Sequence, residues 1–167
     1  MTNWLLVSSA ENFEKNRAIG FRQAAMKSRH RRKWERVAPG DRVIFYVTGV
    51  KAIAGVCRVT GAPFESRERI WGSDAKPLED YPWRFPTEPI VTLEPGRFVP
   101  AEPLAREMAY PKRWPADNWT LAFQGNVHEL SDSDGALIEA AVRRAAEGAA
   151  VEAVEAGAGG IGSDRER

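Results

Sequence analysis

The chain is expected to adopt an α+β fold, a small mixed β-barrel of about five to six strands flanked by helices. Three observations point there. Short apolar runs with strand alternation recur along its 167 residues. They are too many for a helical bundle, and no regular strand–helix–strand rhythm of a parallel sheet separates them. The length suits one domain with a real core. Residues 1–148 are expected to form that domain, and 149–167 a flexible C-terminal tail.

The first strand is NWLLVSS (Asn3–Ser9), short, apolar and ending in small polar residues. AENFEKN can form a helical turn, and Gly20 then leads Phe21-Arg22-Gln23 through a close turn of backbone. From Ala24 the spacing predicts a helix, because Met26, His30, Trp34 and Val37 fall on one stripe while Lys27, Arg29, Arg31, Arg32 and Lys33 cover the remainder. Pro39-Gly40 ends it. Asp41–Val47 and Lys51–Thr60, joined through Thr48-Gly49, read as a β-hairpin with Val43, Phe45 and Val47 on one face and Ile44 and Tyr46 on the other. Gly61–Pro86 is expected to be irregular and is rich in aromatics. EPIVTLE (Glu88–Glu94) is a strand, Leu104–Met108 a short helix, and Asn126–Leu130 a last strand. Ser131 then caps a helix with acids in its first turn and an apolar stripe of Leu137, Ile138, Ala141, Val142 and Ala145.

Composition narrows the functional classes. Hydrophobic residues make up 43%, mean hydropathy is -0.43, and no apolar run approaches the roughly 18 residues of a membrane span. The opening MTNWLLVSSAENF lacks the basic leader of a secretory signal, so a cytoplasmic address is expected. A single cysteine, Cys57, excludes an internal disulfide framework and a cysteine-rich zinc site. Cys57 alternates with core positions and is expected to be inert. His30 and His128 stand in no metal-ligand spacing, and Asp132 and Asp134 read as helix-cap acids. No catalytic residue, metal or cofactor is expected.

Charge is where the sequence becomes specific. Net charge is +1, yet KSRHRRKWE (Lys27–Glu35) holds five basic side chains and a histidine in nine residues. From Lys15 to Arg36 nine basic residues face the single acid Glu35. Such a run alone describes a solvated helix face. Beside it stand six tryptophans, more than a core of this size needs. Flat aromatic walls next to a basic face suit a nucleobase drawn out of its strand, with phosphates held alongside. Ser8, Ser9, Asn12 and Gln23 are the polar side chains able to read such a base along its edge.

Ordered motifs then carry a resemblance. Asn3-Trp4-x-x-Val7-x-Ser9, Gly20-Phe21-x-Gln23, the basic segment, and Pro39-Gly40-Asp41-Arg42-Val43-x-Phe45-Tyr46 resemble the EVE domain. Ile53-Ala54-Gly55, Trp83, Asn118-Trp119, Gln124-Gly125 and the Ser131-led helix continue the pattern, from about Asn3 to Ala146. EVE domains belong to the PUA-like superfamily and are similar to the YTH readers of methylated adenine. The resemblance implies a reader of nucleic acid, DNA or RNA, carrying a modified base such as 5-methylcytosine or N6-methyladenine. Ser8, Ser9 and Gly20 to Gln23 would border the base pocket, and Trp83 would supply a wall. The full expected pocket adds Asn12, Phe21, Arg22, Tyr46, Phe85 and Trp119. Lys27, Arg29, Arg31, Arg32, Lys33, Gln124 and Asn126 would face the strand's backbone. In two places the chain departs from the family pattern: Gln23 stands where an asparagine is common, and Phe123 where an arginine is common. A partner protein supplying an effector activity is a further expectation. Three other readings stay open: a PUA-like module binding RNA by shape, an enzyme acting on a nucleotide or small molecule, for which Glu11, Asp41 and Glu88 are the nearest titratable groups, and a protein-interaction domain whose arginines are a solvated helix face.

Overall fold

The computed structural model describes the backbone of residues 1–165 and the side chains of residues 1–157. Asn3–Ser8 forms β1, Ala10–Ala18 α1, Gln23–Met26 β2, Arg31–Trp34 α2, Arg42–Val47 β3 and Ala52–Val59 β4. Phe64–Glu65 (β5), Trp83–Thr92 (β6), Val99–Pro100 (β7), Ala101–Glu107 (α3), Val127–Leu130 (β8) and Asp132–Arg165 (α4) follow, with three short 3-10 helices between. The sheet runs β2-β6-β4-β3-β1-β8. β1 and β3 pair in parallel, while β1–β8, β3–β4, β4–β6 and β2–β6 are antiparallel. Register shifts between Phe45 and Tyr46 and between Val56 and Cys57 add local twist, which curls the sheet toward a half-barrel.

Strand alternation divides the core between two faces. Trp4, Leu6, Val43, Phe45 and Val47 meet Phe13, Phe21 and Phe85 on one side. Leu5, Ile44, Tyr46, Ile53 and Val56 meet Ile138, Val142, Leu104 and Phe123 on the other. The split of the β3–β4 hairpin therefore follows the sequence reading. Trp4 and Leu5 are both fully buried, because β1 lies in the sheet interior with each face covered.

Asp41 is the polar knot of this architecture. Its carboxylate is buried and accepts from Trp4 Nε1 at 2.9 Å, the Thr2 amide at 2.8 Å and the Ala38 amide at 3.0 Å. A carboxylate so fully engaged is a structural anchor. Asp134 does the same for α4, accepting from the Ala109 and Tyr110 amides at 2.8 and 2.9 Å, while Ser131 Oγ caps the helix through the Asp134 amide at 3.2 Å.

Two sequence expectations need correction. The helix expected from Ala24 is a strand up to Met26, then a 3-10 turn at Ser28–His30 and the short α2. Gly20 and Phe21 take left-handed φ of 67° and 54°, which sends the chain out extended, and Gln23–Met26 then pairs with Trp83–Pro86. Helix propensity in Gln-Ala-Ala-Met loses to that pairing. Met26 and Val37 still face the core. Gly61–Pro86 is likewise not wholly irregular, since β5 and the start of β6 lie within it. α4 runs past Gly148 to Arg165, with Arg97 paired to Glu152; Glu166 and Arg167, the end of the expected tail, lie outside the described residues.

Candidate nucleic-acid interface

β1 ends at Ser8, and Ser9 caps α1 by accepting from the Asn12 amide at 3.1 Å. One turn of helix later stands Asn16. Residues four apart share a helix face, so Asn12 and Asn16 look out together, and both grip one loop. Asn12 Oδ1 accepts from the Gly72 amide at 3.0 Å, and its Nδ2 donates to Tyr81 Oη at 3.5 Å. Asn16 Oδ1 accepts from the Trp71 indole at 2.6 Å. Lys15 Nζ donates to the Gly72 carbonyl at 2.9 Å. The loop between β5 and β6 is thus strapped onto α1.

Beneath the strap lies a cleft of about 310 Å³, within the ~300–1,000 Å³ of small-molecule pockets. Leu6 and Phe45 contribute apolar lining, Trp71 and Tyr81 aromatic lining, and Ser8, Ser9, Asn12, Lys27 and Asn126 polar lining. The Trp71 and Tyr81 rings lie 6.1 Å apart, inclined at 56°. Trp71 also borders a second hollow of about 200 Å³. The buried Arg84 guanidinium sits 5.1 Å from the Trp71 ring centroid. Arg84 donates to the carbonyls of Tyr81, at 3.1 Å, and Glu68, so the same side chain fixes the wall and both ends of its loop.

Charge in the cleft is balanced. Lys27 pairs with Glu79 and lies over the Tyr81 ring at 5.8 Å. Burial opposes ionisation of Glu79, but hydrogen bonding and charge from Lys27 outweigh it and hold the carboxyl below its ordinary range. Burial, reinforced by Glu79, pushes the Tyr81 phenol up to about 12.

The basic segment borders this cleft and is partly spent on the fold. Lys33 Nζ donates to the Val127 carbonyl at 3.0 Å, Arg31 pairs with Glu35 at 3.2 Å and Arg36 with Glu129 at 3.0 Å. Arg29 Nε donates to His30 Nε2 at 3.1 Å. Burial first, then Lys33 and Arg29, lower the His30 imidazole to about 4. His128 is lowered too, chiefly by burial, and its Nδ1 meets Tyr110 Oη at 2.9 Å. Arg32 is exposed and makes no ion pair among the described residues.

Of the pocket residues expected from sequence, Ser8, Ser9 and Asn12 line the cleft, and Lys27 and Asn126 join them from the backbone-facing set. The others lie elsewhere. Phe21 and Phe85 are buried in the core face shared with Phe13 and Phe45. Tyr46 stacks on Phe123, centroids 4.7 Å apart, on the opposite face of the sheet. Trp119 packs edge-on to that same Phe123, so the family's arginine position is core here. Gly20 and Arg22 belong to the turn beyond α1, with Arg22 Nε on the Ile19 carbonyl at 2.8 Å. Gln23 lies in β2, and its Oε1 is sealed without a partner among the described residues. Trp83 lies outside the cleft against Trp34, centroids 4.8 Å apart and inclined at 32°. Its indole donates to the Ser28 carbonyl at 2.7 Å, Trp34 donates to the Arg84 carbonyl at 2.8 Å, and Arg31 covers the Trp83 ring at 5.5 Å. This pair therefore pins the basic segment onto β6. Gln124 is exposed beside Gly125, which does reach the cleft. Sequence reasoning missed Trp71, Tyr81, Asn16 and Glu79 as lining. The Asn12/Asn16 spacing was the available signal, but it does not say which loop the asparagines hold.

The curled sheet and its flanking helices have the fold of YTH domains. The Mmi1 YTH domain superposes with a TM-score of 0.62 at 10% identity, over 87% of this chain and 77% of that one. The YTH domain of Zygosaccharomyces rouxii MRB1, in complex with N6-methyladenosine RNA, gives 0.56 at 16% identity, over 83% and 84%. The chain belongs to the EVE domain family, whose profile matches residues 2–140. A relative, UPF0310 protein PH1033 of Pyrococcus horikoshii, is 28% identical over 152 residues, spanning 83% of this chain and 97% of the relative.

Proposed function

We propose that this protein is a nucleic-acid reader that holds one flipped, modified base, such as 5-methylcytosine or N6-methyladenine, in the cleft beneath the Trp71 strap. The observation that carries the reading is a cleft of about 310 Å³ with aromatic and polar lining that shares Lys27 with the arginine-rich segment. Stacking on an aromatic ring contributes roughly 1–3 kcal/mol per base, and Arg29 and Arg32 would meet flanking phosphates without reading sequence. One buried methyl group adds roughly 0.8 kcal/mol, about fourfold. The expected preference for marked over plain strands is therefore modest, with most affinity electrostatic. MRB1, bound to N6-methyladenosine RNA, supports the reading by likeness of fold. A cytoplasmic setting and a partner protein that acts on the marked strand complete it.

The test is fluorescence anisotropy with single and double strands of DNA and RNA, with and without each mark, at two salt concentrations. Preference for a marked strand supports the reader. Equal affinity for marked and plain strands leaves an RNA module that reads shape, and no salt dependence removes the arginine segment from the interface.

A further inference from the structure

We propose that Asn126 reads the edge of the bound base, presenting one fixed N–H donor to an acceptor on that edge; this rests on the reader function above. Asn126 is 4% exposed and follows Gly125, whose φ of 87° turns the chain into β8. Its side-chain Oδ1 accepts from the Lys27 amide at 2.9 Å, and its main-chain carbonyl accepts from the Val7 amide at 2.8 Å. A backbone N–H can only donate, so the carboxamide has one orientation, and Nδ2 is the end left over. Nδ2 has no hydrogen-bond partner among the described residues, yet it is not among the sealed, unpaired atoms. It keeps contact with solvent, and Asn126 lines the cleft. Once a bound base cuts this donor off from water, leaving it without an acceptor is costly.

Asn12 has both ends of its amide engaged within the strap. Asn16 Nδ2 has no partner among the described residues, but its Oδ1 accepts from and holds the Trp71 indole. Asn126 is the amide tied to the main chain of the basic segment. It therefore links the depth at which a base sits to the position of the cations that hold its phosphates.

The chemistry of one fixed donor defines the ligand class. Cytosine and adenine carry an unprotonated ring nitrogen on the Watson–Crick edge, whereas thymine, uracil and guanine carry an N–H there. All five bases also carry at least one other polar group on that edge, so the Asn126 donor is assigned to the ring nitrogen itself, where it favours the first group and meets a like donor in the second. Methylation at C5 of cytosine or N6 of adenine leaves the acceptor in place, so either mark remains readable.

The experiment uses the full chain and labelled single strands carrying one 5-methylcytosine or its 3-deaza analogue, and one N6-methyladenine or its 1-deaza analogue. Wild type is expected to lose roughly tenfold in affinity when the acceptor nitrogen of the preferred mark becomes C–H. Asn126→Asp keeps an oxygen for the Lys27 amide but replaces the donor, so it should bind natural and deaza strands equally and weakly. A thermal melt verifies that the variant is folded; should it not fold, the wild-type comparison decides. Wild-type affinity equal for natural and deaza strands, or Asn126→Asp discriminating as wild type does, overturns the edge-reading role while leaving the reader intact. Absence of any mark-dependent binding by wild type overturns both.

Discussion

Trp71 and Trp83 show how one residue type takes two roles in neighbouring segments. Trp71 is held at both faces of its work, by Asn16 on the indole nitrogen and Arg84 over the ring, whereas Trp83 stacks on Trp34 outside the cleft. Trp71→Ala should weaken binding of a marked strand by about fivefold to a hundredfold and erase the preference for the mark. Trp83→Ala should lower affinity for marked and plain strands alike, because it loosens the arginine segment. Anisotropy titration of both variants on the same strands checks this. His30 makes a second residue-scale prediction. Its imidazole titrates near 6.5 when unfolded and about 4 when folded, so between those values the unfolded chain binds more protons. Stability is therefore full above about pH 6.5 and declines as pH falls toward 4. His128, lowered as well, acts in the same direction. His30→Gln should flatten the melting temperature between pH 7 and 4.5 relative to wild type.

At the scale of elements, α4 approaches β1 as closely as its sequence permits. A Cβ at Gly135 would stand 2.4 Å from the side chain of buried Asn3. Alanine would gain ~1 kcal/mol of helix propensity, but overpacking beside a short, hydrogen-bonded side chain costs ~1–3 kcal/mol. Gly135→Ala should therefore lower the melting temperature by a few degrees, measured by calorimetry. The elements also divide by how far their sequence revealed them. The β3–β4 hairpin was legible because alternation of Val43, Ile44, Phe45 and Tyr46 is a local signal that burial on two faces preserves. Gln23–Met26 was not, because its strand exists through pairing with Trp83–Pro86, some sixty residues on. The cleft was half legible for the same reason. Ser8, Ser9 and Asn12 sit where a strand hands over to a capped helix, a junction visible in sequence. Trp71 and Tyr81 reach the cleft through a loop whose path is set by asparagine contacts on α1, and no period in the loop encodes that path.

For the whole molecule, the arginine-rich face is smaller in effect than its composition suggests. Lys27, Arg31 and Arg36 are ion-paired, and Lys33 is bound to a carbonyl. If Arg29 and Arg32, with one of the paired cations, meet phosphates, log affinity against log salt should fall with a slope of about −2 for single strands, from ~0.7 per phosphate. A slope of about −3.5 would mean that all three paired cations are released on binding. Arg32→Ala should make the slope shallower by about 0.7 without changing the preference for a marked base.

The parallel β1–β3 pair, with β8 on the other edge of β1, has a temporal consequence. Part of the cleft lining comes from Ser8, Ser9 and Asn12, and another part from Gly125 and Asn126, more than a hundred residues later. Contacts this distant in sequence slow assembly. A nascent chain leaving the ribosome therefore holds only part of its cleft until Leu130 has emerged to pair with Asn3, and the cleft is finished at nearly the moment the sheet is.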